Sequence, residues 1–399
     1  MRRVMIVFGT RPEAVKLAPV IRALGASPWF DPVVAVTAQH RQMLDQVLQL
    51  FAIEPQVDLD LMRPRQTLTD LTARALEHVS PLFEREAPDA VVVQGDTTTT
   101  FVAALAAFFH RIPVVHVEAG LRTFDRYSPF PEEVNRRLTT QLAALHLAPT
   151  PTSRSNLLAE AVPPEAVVVT GNPVIDALLW AAEQDLPYED PRLAALDGER
   201  RRLVLVTAHR RESWGSQMRG IGAALAEIAR RHPDVIIVFP LHRNPIVREA
   251  ILPALQGVPN ALLVDPLSYG SFVRLMKRAH ILLTDSGGVQ EEGPSLGKPV
   301  LVMRGTTERP EAVAAGTARL VGTQPHAIVD AVETLLGDRG AYEDMANAVN
   351  PYGDGQAARR TVAALTHFFG LGPPADEFQS PPHRAPHVAT PEWMARHAG

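Results

Sequence analysis

The sequence predicts an α/β protein of two doubly wound, Rossmann-like domains, each a parallel sheet covered by helices on both faces. Three observations carry the prediction. Short runs rich in Val, Ile and Leu recur without polar alternation, the pattern of strands buried on both faces. Amphipathic stretches of helical length separate them. The series breaks once, at the polar stretch LPYEDPRLAALDGERRR (186–202), which leaves two sets of strands and reads as the interdomain region. A chain of 399 residues is too long for one compact core and comfortable for two.

The first set reads VMIVF (4–8), VVAVT (33–37), AVVV (90–93), PVVHV (113–117) and AVVVT (166–170). The second reads LVLVT (203–207), VIIVF (235–239), ALLV (261–264), ILLT (281–284) and VLVM (300–303). The opening MRRVMIVFGTRPE starts like a leader, but its apolar run spans five residues and meets Arg11 at once, so it is a first strand. The longest apolar run, FVAALAAFF (101–109), is far short of the ~20 residues of a membrane helix. NPYGDGQAARR (350–360) marks a turn and a helix start. From Gly370 on, proline and histidine crowd the chain, which predicts a disordered tail.

The chain is 46% hydrophobic and 21% charged, with a net charge of -5. That balance argues against general nucleic-acid or membrane-surface binding. It has no cysteine, which excludes disulfides and thiolate metal sites and fits a cytoplasmic location. No His/Asp/Glu cluster has metal-ligand spacing, so neither metal nor cofactor is expected. Any bound phosphate would be neutralised by Arg and Lys.

Ligands in open α/β sheets bind beyond the carboxyl ends of the strands. Arg11, Lys16, Asp96, Glu118, His209 and Ser286 all follow strands directly. Polar loops explain any one of them; as a set they describe a cleft lined by two facing groups of loops. In DSGGVQEE (285–292), Gly287 and Gly288 let backbone N–H groups approach phosphate oxygens at a helix start. Ser286 adds a hydroxyl. Glu292, one turn on, is placed to accept from ribose hydroxyls, whereas Glu291 is explained by the preference for acids at a helix start. Three look-alikes fail. GPSLGKPV (293–300) is one residue short of a phosphate loop and has Pro299 where Ser or Thr is needed. GIGAAL (220–225) does not follow a strand. DLD (58–60) sits between apolar residues and reads as structural.

With these residues placed, the chain closely resembles the bacterial non-hydrolysing UDP-N-acetylglucosamine 2-epimerases. The shared stretches are FGTRPEAVKLAP (8–19), TAQHRQMLDQVL (37–48), GDTTTT (95–100), HVEAGLRT (116–123), YSPFPEEVNRR (127–137), AHRRES (208–213), TDSGGVQEEGPSLGKPVLVMRGTTERPEA (284–312) and NPYGDGQA (350–357). The resemblance implies the two-domain fold of GT-B glycosyltransferases, with a C-terminal helix (354–369) crossing back to a first domain of 1–171. The second domain, 172–353, would bind UDP, with hinges near 171–200 and 350–355. It implies interconversion of UDP-N-acetylglucosamine and UDP-N-acetylmannosamine, whose product feeds several surface polymers. Arg11, Ser286, Gly287 and Gly288 would hold the diphosphate, Phe272 would pack by the uracil, and Glu292 would take the ribose. Lys16, Asp96, Glu118, Glu132, Arg136, His209 and Arg309 would surround sugar and phosphates. Gln39, Gln42, Arg65 and His242 match a second, regulatory site at which another UDP-N-acetylglucosamine would act as activator. A homodimer is expected, and no nucleic-acid or membrane partner.

The sequence departs from the family at four places. Phe124 and Gly305 stand where Gly and Asp are usual, and Gln94 and Arg243 where His and Leu are common.

Carbon 2 of the sugar is not next to a carbonyl, so its proton is a poor acid. Departure of UDP builds positive charge at the anomeric carbon and makes that proton removable, giving 2-acetamidoglucal. Such chemistry needs proton-transfer groups on both faces of the sugar and stabilisation of the departing diphosphate. Asp96 and Glu118 are the candidates for carbon 2, with Glu132 assisting and His209 bonding the leaving phosphate or a sugar hydroxyl. The competing readings are a glycosyltransferase on the same fold and a hydrolysing epimerase that releases N-acetylmannosamine.

Overall fold

A computed structural model describes residues 1–37, 41–63 and 66–379, with side chains from 44 onward in the middle block. Gln39, Arg65 and the side chain of Gln42, three of the four residues expected at a regulatory site, lie outside the described residues.

Among the described residues seven parallel strands form the first sheet: β1 (Arg2–Phe8), β2 (Phe30–Val36), β3 (Val57–Asp58), β4 (Ala90–Gln94), β5 (Val114–Val117), β6 (Leu145–Ala148) and β7 (Val167–Val169). Six form the second: β8 (Arg202–Thr207), β9 (Val235–Pro240), β10 (Ala261–Val264), β11 (Ile281–Thr284), β12 (Val300–Val302) and β13 (Ala318–Leu320). The orders are β3-β2-β1-β4-β5-β6-β7 and β10-β9-β8-β11-β12-β13. Each order reverses once, between β1 and β4 and between β8 and β11. At such a reversal the loops diverge and leave a crevice at the strand ends. This is the expected α/β class. DLD (58–60) begins within β3, at the edge of the first sheet.

The strands are continuously apolar because helices cover both faces. Met5, Val7, Val91 and Val93 pack with Leu82 and Phe83 in the first core. Val204, Val206, Ile237 and Leu283 pack with Ile221, Leu225 and Ile328 in the second. One glycine sets the approach of a helix to the sheet. A methyl at Gly293, in the helix Gly287–Ser295, would lie 2.5 Å from Leu282 and 2.7 Å from Val300. Only glycine lets this helix lie so close to β11 and β12, which brings its N-terminus to the strand ends.

By their contacts the described residues divide into two compact units. The first is Met1–Glu199, Leu267–Lys277 and residues 352–379; the second is Arg200–Pro266 and Arg278–Pro351. Most of the polar stretch read as interdomain is a packed part of the first unit. Arg274 of the helix Tyr269–Arg278 lies 4.4 Å over the Tyr188 ring, donates to Asp197 at 2.6 Å and bonds the Leu186 carbonyl.

The disordered tail expected from Gly370 needs correction over its described part. Phe378 is buried with Leu157, Val167 and Val169, and its N–H donates to the Val169 carbonyl at 2.7 Å. Glu377 pairs with Arg154 at 2.7 Å, and Asp376 with Arg359 at 2.7 Å. The proline-rich composition hid one aromatic anchor preceded by two acids. Residues 380–399 lie outside the described residues. Among the described residues no helix is long and apolar enough to cross a membrane.

The chain returns to the first unit as the helix Ala357–Phe368, which packs on the helices Arg11–Gly25 and Pro173–Glu183. Asp176 caps this returning helix, accepting from Ala357 N–H at 3.1 Å and Ala358 N–H at 2.8 Å. Burial, only partly offset by those bonds, pushes its carboxyl up to about 6 from an ordinary 3.8. Between those values the folded chain holds more protons at this site than the unfolded chain, so its contribution falls as pH rises. Moving a carboxyl that far corresponds to about 3 kcal/mol. The difference in stability between wild type and Asp176→Asn should therefore shift against wild type from pH 4 to pH 6.5. Urea midpoints across that range measure it, and a constant difference would contradict the assignment.

Candidate active site

The first unit gathers its charged residues at the reversal between β1 and β4. Arg11 opens the helix Arg11–Gly25, and Lys16 lies on its second turn. Lys16 Nζ donates to both oxygens of Glu118 at 2.6 Å. Glu118 follows β5 at φ +61, a left-handed conformation that costs a non-glycine residue on the order of 1 kcal/mol. Its carboxylate also accepts from Asn172 Nδ2 at 3.0 Å and from Gln94 Nε2. A methyl at Gly95 would lie 3.5 Å from Glu118 Oε2, so the carboxylate packs against the residue that precedes Asp96.

Asp96 pairs with Arg136 of the helix Glu132–Leu142, and its carbonyl accepts from Asn135 Nδ2 at 3.0 Å. Its side chain keeps 29% of its surface open to solvent, so it can still reach a ligand. Glu132 opens the same helix. Burial raises its carboxyl above the ordinary 4.5, and the Asp96 charge pushes the same way. Glu133, fully buried, lies 3.4 Å from Arg136 and accepts from Thr123 and Phe124 N–H. Phe124 itself is exposed at φ +63. A backbone of that hand costs about 1–2 kcal/mol for a residue with a Cβ, which accounts for glycine as the usual residue there. Phe124→Gly should stabilise the fold by up to about 1 kcal/mol, readable as a higher melting temperature; a lower one would contradict the strain.

Glu13 was not anticipated. It is 1% exposed and takes five donors: Gly9 N–H at 3.1 Å, Thr10 N–H and hydroxyl at 2.8 Å, Thr97 hydroxyl at 2.8 Å and Thr100 hydroxyl at 3.1 Å. It ties the loop carrying Arg11 to the loop carrying Asp96. Its signal was the Thr10-x-x-Glu13 spacing of a helix start.

The second unit repeats this plan at the reversal between β8 and β11. Asp285 is fully buried between the two loops. Its Oδ2 accepts from the backbone N–H of His209 at 2.6 Å and of Arg210 at 2.7 Å, and its Oδ1 lies 3.1 Å from His209 Nδ1. Burial alone would raise this carboxyl; the bonds and charge of His209 outweigh it and hold Asp285 below the ordinary range. Ser286 precedes the helix Gly287–Ser295 as its N-cap. A methyl at Gly287 would lie 3.8 Å from the guanidinium groups of both Arg210 and Arg309. Two cations therefore meet over a helix N-terminus, an arrangement suited to phosphate. Arg309 is held there by the buried Glu291, with which it pairs. So Glu291 does more than favour the helix start, and Arg210 was missed although it stands in AHRRES. Glu292 Oε2 would lie 3.6 Å from a methyl at Gly288.

His242, expected at the regulatory site, stacks on His209 with ring centroids 6.0 Å apart. Burial, and then the His209 charge, lower it. Arg243 beside it is exposed, and nothing in the structure accounts for Gly305. Phe272, half-buried on the helix Tyr269–Arg278, belongs by its contacts to the first unit. The structure thus brings Lys16, Asp96, Glu118, Glu132 and Arg136 together in one unit, and His209, Ser286, Gly287, Gly288, Glu292 and Arg309 in the other. Among the described residues no group of three or more His, Asp or Glu side chains is arranged to hold a metal ion.

Residues 22–366 match the family described as UDP-N-acetylglucosamine 2-epimerase. The chain is 56% identical over 369 residues to the UDP-N-acetylglucosamine 2-epimerase of Yersinia pestis, covering 91% of this chain and 98% of that protein. The crystal structure of the UDP-GlcNAc 2-epimerase from Neisseria meningitidis bound to UDP-GlcNAc is similar, with 48% identity and a TM-score of 0.84 over 92% of this chain and 100% of that one. So is the S. aureus MnaA–UDP co-structure, with 44% identity and a TM-score of 0.86 over 95% and 100%. On sequence and fold together, the chain belongs to the UDP-N-acetylglucosamine 2-epimerase family.

Proposed function

We propose that this protein interconverts UDP-N-acetylglucosamine and UDP-N-acetylmannosamine by elimination and re-addition of UDP. The observation that carries the reading is a division of labour. One unit holds carboxylates paired with cations, and the other a helix N-terminus faced by two guanidinium groups. Relatives bound to UDP-GlcNAc or UDP support a nucleotide-sugar ligand.

In this reading Ser286, the N–H groups at Gly287 and Gly288, Arg210, Arg309 and Arg11 hold the diphosphate. Phe272 packs by the uracil and Glu292 bonds the ribose. The bond from carbon 1 to oxygen breaks, and its electron pair leaves with UDP. These donors stabilise that charge, and His209 adds a hydrogen bond to it. The carbon 2 proton passes to Asp96 or Glu118, and its bond pair becomes the double bond of 2-acetamidoglucal. Return of a proton to the opposite face, with UDP re-adding at carbon 1, gives the epimer. Arg136 pairs with Asp96 and Lys16 with Glu118, so each carboxylate has a cation beside it. Burial raises the Glu132 carboxyl, which favours its protonated form more than in an ordinary glutamate and suits it to assist proton transfer.

The test is incubation with UDP-N-acetylglucosamine alone, followed by proton NMR. An equilibrium mixture of the two UDP-sugars is expected. Free N-acetylmannosamine would mean hydrolysis, and no reaction without an acceptor would favour a glycosyltransferase.

A further inference from the structure

Asn172 follows β7 where the chain leaves the first sheet, and it is 1% exposed. Its side chain is engaged at both ends. Oδ1 accepts from Val174 N–H at 3.1 Å as the N-cap of the helix Pro173–Glu183, and Nδ2 donates to Glu118 Oε1 at 3.0 Å. The cap decides the amide's orientation. Its oxygen must face the Val174 N–H, so its NH2 must face the carboxylate. The backbone is fixed as well: Asn172 N–H donates to the Tyr352 carbonyl at 2.7 Å. The preceding Gly171, at φ +83, would place a methyl 3.4 Å from Gly353 Cα. Arg360 clamps the same junction, bonding the Thr170 carbonyl at 3.3 Å and Asp354 at 2.7 Å.

We propose that Asn172 is a positioning residue, a rigid donor that orients the Glu118 carboxylate before it exchanges a proton with the sugar. The proposal rests on the reading of Glu118 as a proton-transfer group. The amide is preorganised by bonds made before any ligand arrives, so it spends no ordering entropy during turnover. Charged and titratable groups that also face Glu118 include Lys16 and His116. Lys16 can swing on a flexible stem. His116 is buried in β5 and lowered to about 3 by that burial, so it stays neutral, with Nε2 engaged at the Gly95 carbonyl at 2.8 Å. Gln94 Nε2, on β4, also donates to Glu118; of these groups, Asn172 alone is fixed by its own helix cap.

Two variants test this. Asn172→Asp preserves size and cap but turns a negative oxygen toward Glu118. The acidic limb of its kcat profile should move up by at least about one pH unit, with KM changed less than about threefold. Asn172→Ser keeps a cap but is too short to reach the carboxylate. Its kcat should fall about tenfold at unchanged KM. A pH profile in the Asp variant that overlays wild type would overturn the proposal, as would wild-type kcat in the Ser variant. Deuterium incorporation at carbon 2 by wild type separates this inference from the reading beneath it. Absence of label would remove the proton-transfer role of Glu118, whereas label with unshifted variants would remove only the role of Asn172.

Discussion

Asp96→Asn and Glu118→Gln are each expected to lower kcat by about 10²–10⁴-fold, the usual contribution of a positioned acid or base. Both changes keep side-chain shape and remove a proton acceptor. Neither should unfold the first unit. After Asp96→Asn, Arg136 retains Glu133 at 3.4 Å. After Glu118→Gln, the amide oxygen can still accept from Lys16 or Asn172. The proposed UDP-binding donors lie largely in the second unit, so the affinity for UDP should stay within about threefold of wild type. Stopped-time NMR assays give kcat, and calorimetry with UDP gives the affinity. Turnover within tenfold of wild type for either variant would contradict its assignment.

Arg309→Ala is expected to act on binding and on stability together. Its guanidinium is one of two over Gly287, and a charged hydrogen bond to phosphate is worth about 1.5–3 kcal/mol, or roughly 10–150-fold in UDP affinity. It is also the partner of Glu291, which is 1% exposed. Removing one member of a buried pair costs about 3–5 kcal/mol, which should lower the melting temperature by several degrees. Arg210→Ala provides the contrast. Arg210 lies 3.7 Å from Glu308, whose side chain keeps 26% of its surface exposed, so its loss should weaken UDP comparably with little effect on melting. Equal melting losses in both variants would mean that Glu291 does not depend on Arg309.

The sequence made the sheet order's consequence legible before the order itself. Arg11, Asp96, His209 and Ser286 follow β1, β4, β8 and β11, which proved to be the four strands at the two reversals. What stayed hidden has physical causes. β6 reads Leu-His-Leu-Ala, and its His146 looks polar in a sequence; in the fold it is 2% exposed and lowered to about 4 by burial. β3 and β13 are edge strands of two and three residues, too short for a periodic signal. Glu291 reads as an ordinary helix-start acid, and nothing singled out Glu13, because a sequence gives spacing but not burial. Nothing in the sequence marks Asn172, because its partner, Glu118, is 54 positions away. The ordered segment through Phe378 escaped notice because composition averages over the single aromatic that anchors it.

The most direct test of the account is epimerisation in D2O, followed by NMR at carbon 2 of both UDP-sugars. Proton removal by the acidic cluster and return from the other face predict solvent deuterium at that carbon in the newly formed epimer. Turnover without deuterium at carbon 2 would contradict it.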